Sequence, residues 1–251
     1  MRLSEVKGMD ATGRLLFRLL SLPSPPGGEE AASRFCARFL ARRGFRVEVD
    51  RLGNVAAKRG RGPYIVLVSH LDDWGDPERR RFRVLPGGRV VSAAGAPLGG
   101  DDKCGVAIAL ALACRDGMPM AVLLTVREEV GGEGCRAFLE RRREWFADAG
   151  ACLVLDRRGE GDVVTRISGL ELDPAGEFTR RVLAAAGRAG IQARAVEGLF
   201  SDAFVLAAAT GLPAVNISVG YHEPHSPVEW VSLPEMRRAA RWVREVLEAP
   251  A

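Results

Sequence analysis

The chain has 251 residues, of which 47% are hydrophobic and 27% are charged, and its formal net charge is +4. This length accommodates one large α/β domain or two small ones, and the hydrophobic content supports a sizeable core. No apolar run approaches the roughly 18–20 residues of a membrane span, and the first residues lack the hydrophobic segment of a secretion signal.

Cysteine usage and the arrangement of the arginines indicate the compartment and the class of partner. The five cysteines are an odd number without C-x-x-C pairing, so we expect a reducing compartment, the cytoplasm. Two arginine triplets, Arg79–Arg81 and Arg141–Arg143, lack interleaved aromatic residues and are typical of solvated surface. We therefore expect no nucleic-acid partner and no membrane partner.

The hydrophobic periodicity predicts alternating helices and strands. Helical spacing occurs over residues 11–20, 29–43, 106–114, 134–146, 174–187, 201–209 and 234–247. Short apolar runs bounded by turn residues predict buried parallel strands over 64–69, 121–126, 151–155 and 214–219. Alternation predicts an edge strand over 46–50 followed by a second strand from 55, and a hairpin over 81–91 that turns at 86–88. The chain contains no internal repeat or long linker, so one α/β domain spanning residues 1–251 is the simplest prediction.

The residues that carry chemistry are concentrated where the predicted buried strands end. In chain order the strands are followed by or end in His70 and Asp72, Glu128 and Glu129, Asp156, and finally His222 and His225. Because the carboxyl ends of parallel strands meet at one edge of a sheet, we expect these side chains to lie together.

A pair of aspartates precedes the most apolar predicted helix. Asp101 and Asp102 follow two glycines and stand before the run 106–114. Carboxylates also occur at helix N-termini as simple caps, so capping is the alternative explanation. The coincidence with the polar strand ends favours a metal site.

Imidazole and carboxylate ligands without thiolates suit zinc, manganese or cobalt. The candidate ligands are His70, Asp101, Glu129, Asp156 and His225. Five ligands are too many for one tetrahedral ion but fit two divalent ions that share a bridging carboxylate, and with one bridging hydroxide the charges sum to zero. Glu128 is free to act as general base, and Asp72 is placed to accept a hydrogen bond from the second nitrogen of His70.

The motifs resemble those of the co-catalytic zinc exopeptidases, the superfamily of aminopeptidases, peptidase T-like tripeptidases, glutamate carboxypeptidases and deacylases. The resemblance rests on His70-x-Asp72, Gly100-Asp101-Asp102-Lys103, Glu128-Glu129, Asp156, Ser201-Asp202-Ala203 and His225-Ser226-Pro227-x-Glu229. It implies a three-layer α/β/α sandwich with a mixed, mostly parallel central sheet. The stretches 70–101 and 156–201 are too short for the inserted domain or lid of some relatives, so we expect a bare catalytic domain.

The resemblance also implies how the site residues are used. Asp101 bridges the two ions, His70 and Asp156 bind one, Glu129 and His225 bind the other, and Glu128 is the base. The peptide bond between Asp101 and Asp102 is a candidate for the cis form.

The expected substrate is a peptide or an acylated amino acid. Among the relatives, Asp at position 156 goes with aminopeptidases and dipeptidases, whereas Glu there goes with carboxypeptidases and deacylases. We therefore expect an aminopeptidase, with a metallo-carboxypeptidase, an N-acyl-amino-acid deacylase or a non-catalytic binding protein as alternatives. A homo-oligomer stays open.

Two residues close to His225 in sequence are further candidates for the site. His222 is a candidate for stabilising a tetrahedral oxyanion, with a place at the rim of the site as the alternative. For Tyr221 we expect a packing role.

Overall fold

A computed structural model of the chain describes residues 9–75, 81–115 and 117–249. The N-terminal residues 1–8 and the first two arginines of the triplet at 79–81 lie outside these ranges. Within the ranges, no helix combines the length and the apolar character that crossing a membrane requires.

Helices and strands alternate along the chain as predicted. The helices are α1 (Ala11–Leu20), α2 (Glu30–Ala41), α3 (Gly100–Ala113), α4 (Glu133–Arg142), α5 (Glu177–Ala189), α6 (Asp202–Thr210) and α7 (Leu233–Glu248). The strands are β1 (Arg46–Val49), β2 (Val55–Arg59), β3 (Tyr64–His70), β4 (Phe82–Leu85), β5 (Arg89–Ser92), β6 (Met120–Thr125), β7 (Ala149–Arg157), β8 (Asp162–Ile167), β9 (Leu170–Glu171), β10 (Arg194–Gly198), β11 (Ala214–Ser218), β12 (Tyr221–His222) and β13 (Trp230–Ser232).

The central sheet has the strand order β1-β2-β6-β3-β7-β11-β8-β10, with β9 paired to β8. Strands β6, β3, β7 and β11 run parallel to one another, and β8 runs parallel to β10. The pairs β1–β2, β2–β6 and β8–β11 are antiparallel. The mixed, mostly parallel sheet is therefore confirmed, and the four predicted buried strands lie next to one another with their carboxyl ends at one edge.

Helices cover both faces of this sheet because successive side chains of its buried strands point to opposite sides. In β3, Leu67 belongs to one hydrophobic core, whereas Val66 and Val68 belong to the other. The first core includes residues of α1, α2, α3, α5 and α7, and the second includes residues of α4 and α6. The three-layer sandwich is confirmed.

The predicted helix over 134–146 is shorter than expected. Helix α4 ends at Arg142, and a 3₁₀ turn covers Arg143–Phe146. The reason is that Trp145 and Phe146 turn inward and pack edge-to-face against Phe138 in the second core.

The prediction omitted β8 and β10, and it did not identify a second, four-stranded sheet. The predicted hairpin is present as β4 and β5, and it joins β13 and β12 in the order β12-β13-β5-β4. Strand β10 lies at an edge of the central sheet and is largely exposed, so it lacks the apolar run that marks the buried strands.

Candidate metal centre

Asp101 lies between two histidines at the carboxyl edge of the sheet. Its Oδ1 is 3.1 Å from Nε2 of His70, and its Oδ2 is 3.3 Å from Nε2 of His225. Each carboxylate oxygen therefore faces a different imidazole, which is the arrangement a bridging carboxylate needs.

A further carboxylate stands beside each histidine. Asp156 Oδ1 is 3.6 Å from Nε2 of His70, and Glu129 Oε1 is 2.7 Å from Nε2 of His225. Candidate ligand atoms of His70, Asp101 and Glu129 lie within 4.8 Å of one another, and so do those of His70, Glu128 and Asp156. The five residues predicted as ligands are thus brought together around Asp101, with His70 and Asp156 on one side and His225 and Glu129 on the other.

The loops at the strand ends aim these side chains. His70 is the last residue of β3, and Glu128 follows β6 after Arg127, whose φ is 55°. His225 follows β12 with a φ of 60°. Left-handed backbone is uncommon for residues other than glycine and is concentrated at functional sites, so both turns fit a site that demands a particular side-chain direction.

The two adjacent aspartates have different roles. Asp102 is fully buried, and its carboxylate accepts the N–H groups of Gly105 at 3.0 Å and of His70 at 3.2 Å. The peptide bond between Asp101 and Asp102 is cis, as predicted. The capping alternative therefore describes Asp102, whereas Asp101 faces the histidines.

Asp72 links the backbone of Glu128 and Glu129 to the imidazole of His70. The backbone N–H groups of Glu128 and Glu129 donate to its two carboxylate oxygens, each at 3.0 Å. Nδ1 of His70 lies 3.4 Å from the Asp72 carboxylate but 3.0 Å from the Asp72 carbonyl oxygen. Asp72 therefore contacts the second nitrogen of His70 as expected, and its backbone carbonyl lies closer to that nitrogen than its carboxylate does.

Tyr221 packs in the hydrophobic core as expected, and its hydroxyl also contacts a candidate ligand. Its hydroxyl donates to Oδ1 of Asp156 at 3.1 Å, while the backbone of Asp156 is held by the side-chain amide of Asn216. The side chain of Tyr221 is 3% exposed, and this burial alone does not reveal the contact of its hydroxyl with Asp156.

His222 is not brought into the site. Its Nε2 is 2.6 Å from Oε2 of Glu235, and its ring stacks on Trp230 with 3.9 Å between the ring centroids. Among the described residues, it is also absent from the lining of the cavity that opens over the candidate ligands. This placement matches the rim alternative and lends no support to an oxyanion role.

Two buried charged residues support the site and were assigned no role from the sequence alone. Glu229 accepts backbone N–H groups of the segment before α3. Lys103 is fully buried, and its ammonium contacts Ser24, the Leu71 carbonyl and Asp73. A lysine inside an otherwise apolar helix was the available signal, since a buried lysine requires partners.

The cluster contains more negative charge than its histidines can balance. Burial, together with the neighbouring carboxylates, raises the pKa of Glu128 to about 10 and that of Asp156 to about 7. Hydrogen bonds to Asp101 and Glu129 raise the pKa of His225 to about 10. Divalent cations would relieve this repulsion, so the donor set fits the expected ions in chemistry as well as in geometry.

A cavity of about 220 Å³ opens over the cluster. The candidate ligands and Glu128 form one part of its wall, and the remainder includes Val164, Leu199, Phe200 and the arginines Arg157 and Arg158. This volume is below the roughly 300–1,000 Å³ of ordinary ligand pockets and suits a small molecule or the end of a chain.

Comparisons with known proteins agree with this architecture. A sequence model of the M42 glutamyl aminopeptidase family matches residues 79–241. The cytosol non-specific dipeptidase of Escherichia coli is 28% identical over 170 residues, which cover 61% of this chain and 34% of the dipeptidase. The chain therefore spans about a third of the length of that relative.

Two solved structures share the fold. Aminopeptidase PepT from Bacillus cereus superposes with a TM-score of 0.82 at 17% identity, covering 95% of this chain and 97% of that one. The TET1 peptidase of Pyrococcus horikoshii superposes with a TM-score of 0.72 at 15% identity, covering 94% and 99% of the two chains. At these identities the likeness establishes the fold.

Proposed function

The chain belongs to the M42 glutamyl aminopeptidase family, and we propose that it is a two-metal exopeptidase that releases N-terminal residues from peptides. The single observation that carries this proposal is the position of Asp101, one oxygen toward His70 and the other toward His225. This geometry suits two metal ions, whereas burying these charged groups only to fill a core would cost a large desolvation free energy.

We assign the same ligands that the resemblance implies. His70 and Asp156 would hold one ion, Glu129 and His225 would hold the second, and Asp101 would contribute to both. When bound, two divalent ions supply a water of lowered pKa and polarise the carbonyl of the scissile bond. Zinc suits this donor set best, and manganese and cobalt are the alternatives.

Glu128 is the proposed general base. Its carboxylate lines the cavity beside His70 and Asp156, and its backbone is held in place by Asp72. It takes a proton from the attacking water and delivers it to the nitrogen of the leaving amine. Nearby cations would lower its pKa and so keep the carboxylate in the basic form at neutral pH.

Whether the enzyme releases residues from the N-terminus or the C-terminus is tested with one tripeptide in free, N-acetylated and C-amidated forms, with zinc, manganese or cobalt added. We expect cleavage of the amidated form and none of the acetylated form, because an aminopeptidase requires the free amine. The reverse pattern would identify a carboxypeptidase. No cleavage by protein that holds two metals would favour a deacylase or a binding protein.

Three broader expectations accompany this activity. We propose that residues 1–251 act as one catalytic domain, that the protein works in the cytoplasm, and that it forms a homo-oligomer. The relative from E. coli is named a cytosol dipeptidase, and the TET1 peptidase is described as assembling into a tetrahedron or a large octahedral shell. Light scattering of the purified protein decides the last point: the mass of a single chain would rule out the oligomer.

A further inference from the structure

Arg158 is a cation in the wall of the cavity, and none of the described residues pairs with its guanidinium. Its guanidinium makes no hydrogen bond or ion pair with any of the described residues, and its side chain is exposed. The neighbouring Arg157 also lines the cavity, but its guanidinium is paired with Asp162 at 3.1 Å. Of the two arginines, Arg158 therefore has its hydrogen-bonding capacity available for a ligand.

The backbone that carries Arg158 is well anchored. Ser218 Oγ donates to the Arg158 carbonyl oxygen at 2.9 Å, and the N–H of Gly159 donates to the carbonyl of Tyr221 at 2.7 Å. Arg158 follows Asp156 by two residues, at the point where β7 ends. The guanidinium thus extends from an anchored backbone beside the candidate metal ligands.

We propose that Arg158 binds a carboxylate of the substrate and thereby selects for it. The inference rests on the proposed peptidase activity. The planar fork of an arginine matches a carboxylate with two parallel hydrogen bonds, and such charge-assisted pairs are the stronger ones. The candidate ligands use their charge on the metal ions, so Arg158 supplies the cationic group in the cavity wall that a substrate carboxylate requires.

The carboxylate has two chemical sources in a peptide. It is either the C-terminal carboxylate of a short peptide or the side chain of an acidic residue. The cavity of about 220 Å³ holds a small ligand, so both sources place a carboxylate close to the scissile bond.

The test compares two pairs of peptides that differ in one carboxylate. Ala-Ala-Ala is compared with its C-terminal amide, and Glu-Ala-Ala-amide with Gln-Ala-Ala-amide, as ratios of kcat/KM. In Arg158→Gln we expect the ratio of one pair to fall by about 10- to 100-fold, the effect of losing a charge-assisted hydrogen-bond pair. The pair that responds identifies the source, and an unchanged ratio in both pairs would overturn the proposal.

The matched control is Arg241→Gln. Arg241 is another exposed arginine without an ion pair among the described residues, and it lies on α7 away from the cavity lining. The Arg241→Gln variant loses the same charge and should leave the kcat/KM ratios of both peptide pairs unchanged. An equal fall in this variant would attribute the effect to the overall charge and contradict a specific role for Arg158.

A binding measurement separates this proposal from the proposed function. In the metal-loaded Glu128→Gln protein, calorimetry gives the Kd of each of the four peptides without turnover. Adding Arg158→Gln should weaken binding of the acid-bearing member of one pair relative to its neutral partner. If Arg158→Gln removes the preference for the acid-bearing peptide but the wild-type protein cleaves no peptide, carboxylate binding is supported and the proposed peptidase activity is wrong. If Arg158→Gln weakens the binding of both members of each pair equally, carboxylate binding by Arg158 is refuted.

Discussion

The carboxylate of Glu229 accepts the backbone N–H of Asp101 at 3.1 Å, across a separation of 128 residues in sequence. The same carboxylate accepts the N–H groups of Leu98 at 2.7 Å and Gly99 at 2.9 Å. Glu229 is 2% exposed, so these three N–H groups provide the hydrogen bonds that its buried carboxylate cannot make to water. It is therefore a positioning residue that holds the segment carrying Asp101 against the histidines.

Glu229→Gln should destabilise the protein and weaken metal binding together. An amide keeps one acceptor oxygen but turns an NH₂ group toward backbone N–H donors, which costs roughly 1–3 kcal/mol in the free energy of unfolding. Chemical denaturation and metal content measure the two effects. Glu140→Gln, on the exposed face of α4, is the control; equal behaviour of the two variants would contradict the role of Glu229.

Tyr221→Phe should lower metal affinity without a large loss of stability. The variant removes the hydroxyl that donates to Asp156, and loss of a hydrogen bond to a ligand typically costs about 10- to 100-fold in affinity. Competition with a chelator measures it. The other tyrosine offers a matched control, because the Tyr64 hydroxyl donates to the Gly60 carbonyl away from the cluster; the prediction fails if Tyr64→Phe has the same effect on affinity.

Glu128→Gln should abolish turnover while both metals are retained. Loss of a general base typically costs about 10²- to 10⁴-fold in rate, and Gln cannot take a proton from water. Elemental analysis and kcat on the cleaved peptide measure the two quantities. Glu133→Gln removes a nearby exposed carboxylate that pairs with Arg127 and should keep full activity. Substantial turnover by Glu128→Gln would remove it from the base role.

His222→Gln should retain kcat. The imidazole is engaged by Glu235 and by the face of Trp230, so its loss affects packing at the small sheet and leaves the cavity intact. We expect a decrease of about 1 kcal/mol in the free energy of unfolding, the size of one hydrogen bond. A large fall in kcat at unchanged metal content would instead restore the oxyanion role.

Asp202 should make stability depend on pH. Burial raises the pKa of Asp202 from 3.8 to about 6, with Thr125 donating to its Oδ2 at 2.6 Å. The folded protein therefore holds a proton that the unfolded chain releases, so the free energy of unfolding decreases as pH rises through this window and levels off above it.

Asp202→Asn removes this titration. In metal-free protein, its unfolding free energy relative to wild type should rise by roughly 1–3 kcal/mol between about pH 4.5 and pH 7.5. Denaturation curves at the two pH values give the difference, and a difference independent of pH would contradict the raised pKa.

The outline of the fold was accessible from the sequence because its signals are local. The apolar runs at 64–69 and 121–126 are long and bounded by turn residues, and they became β3 and β6 with His70 and Glu128 at the expected edge. The exposed strand β10 and the inward turn at Trp145 left no comparable signal, because their conformations are decided by neighbours far along the chain.

The sequence by itself determined which residue types stand at the carboxyl ends of the buried strands, since strand periodicity and the direction of parallel strands suffice for that. Only the tertiary structure decided that Asp101 faces the histidines while Asp102 caps α3, and that Tyr221 rather than its neighbour His222 contacts Asp156. Adjacent residues point in different directions once the backbone turns, and the partners that hold them, such as Glu229 for Asp101, arrive from distant parts of the chain.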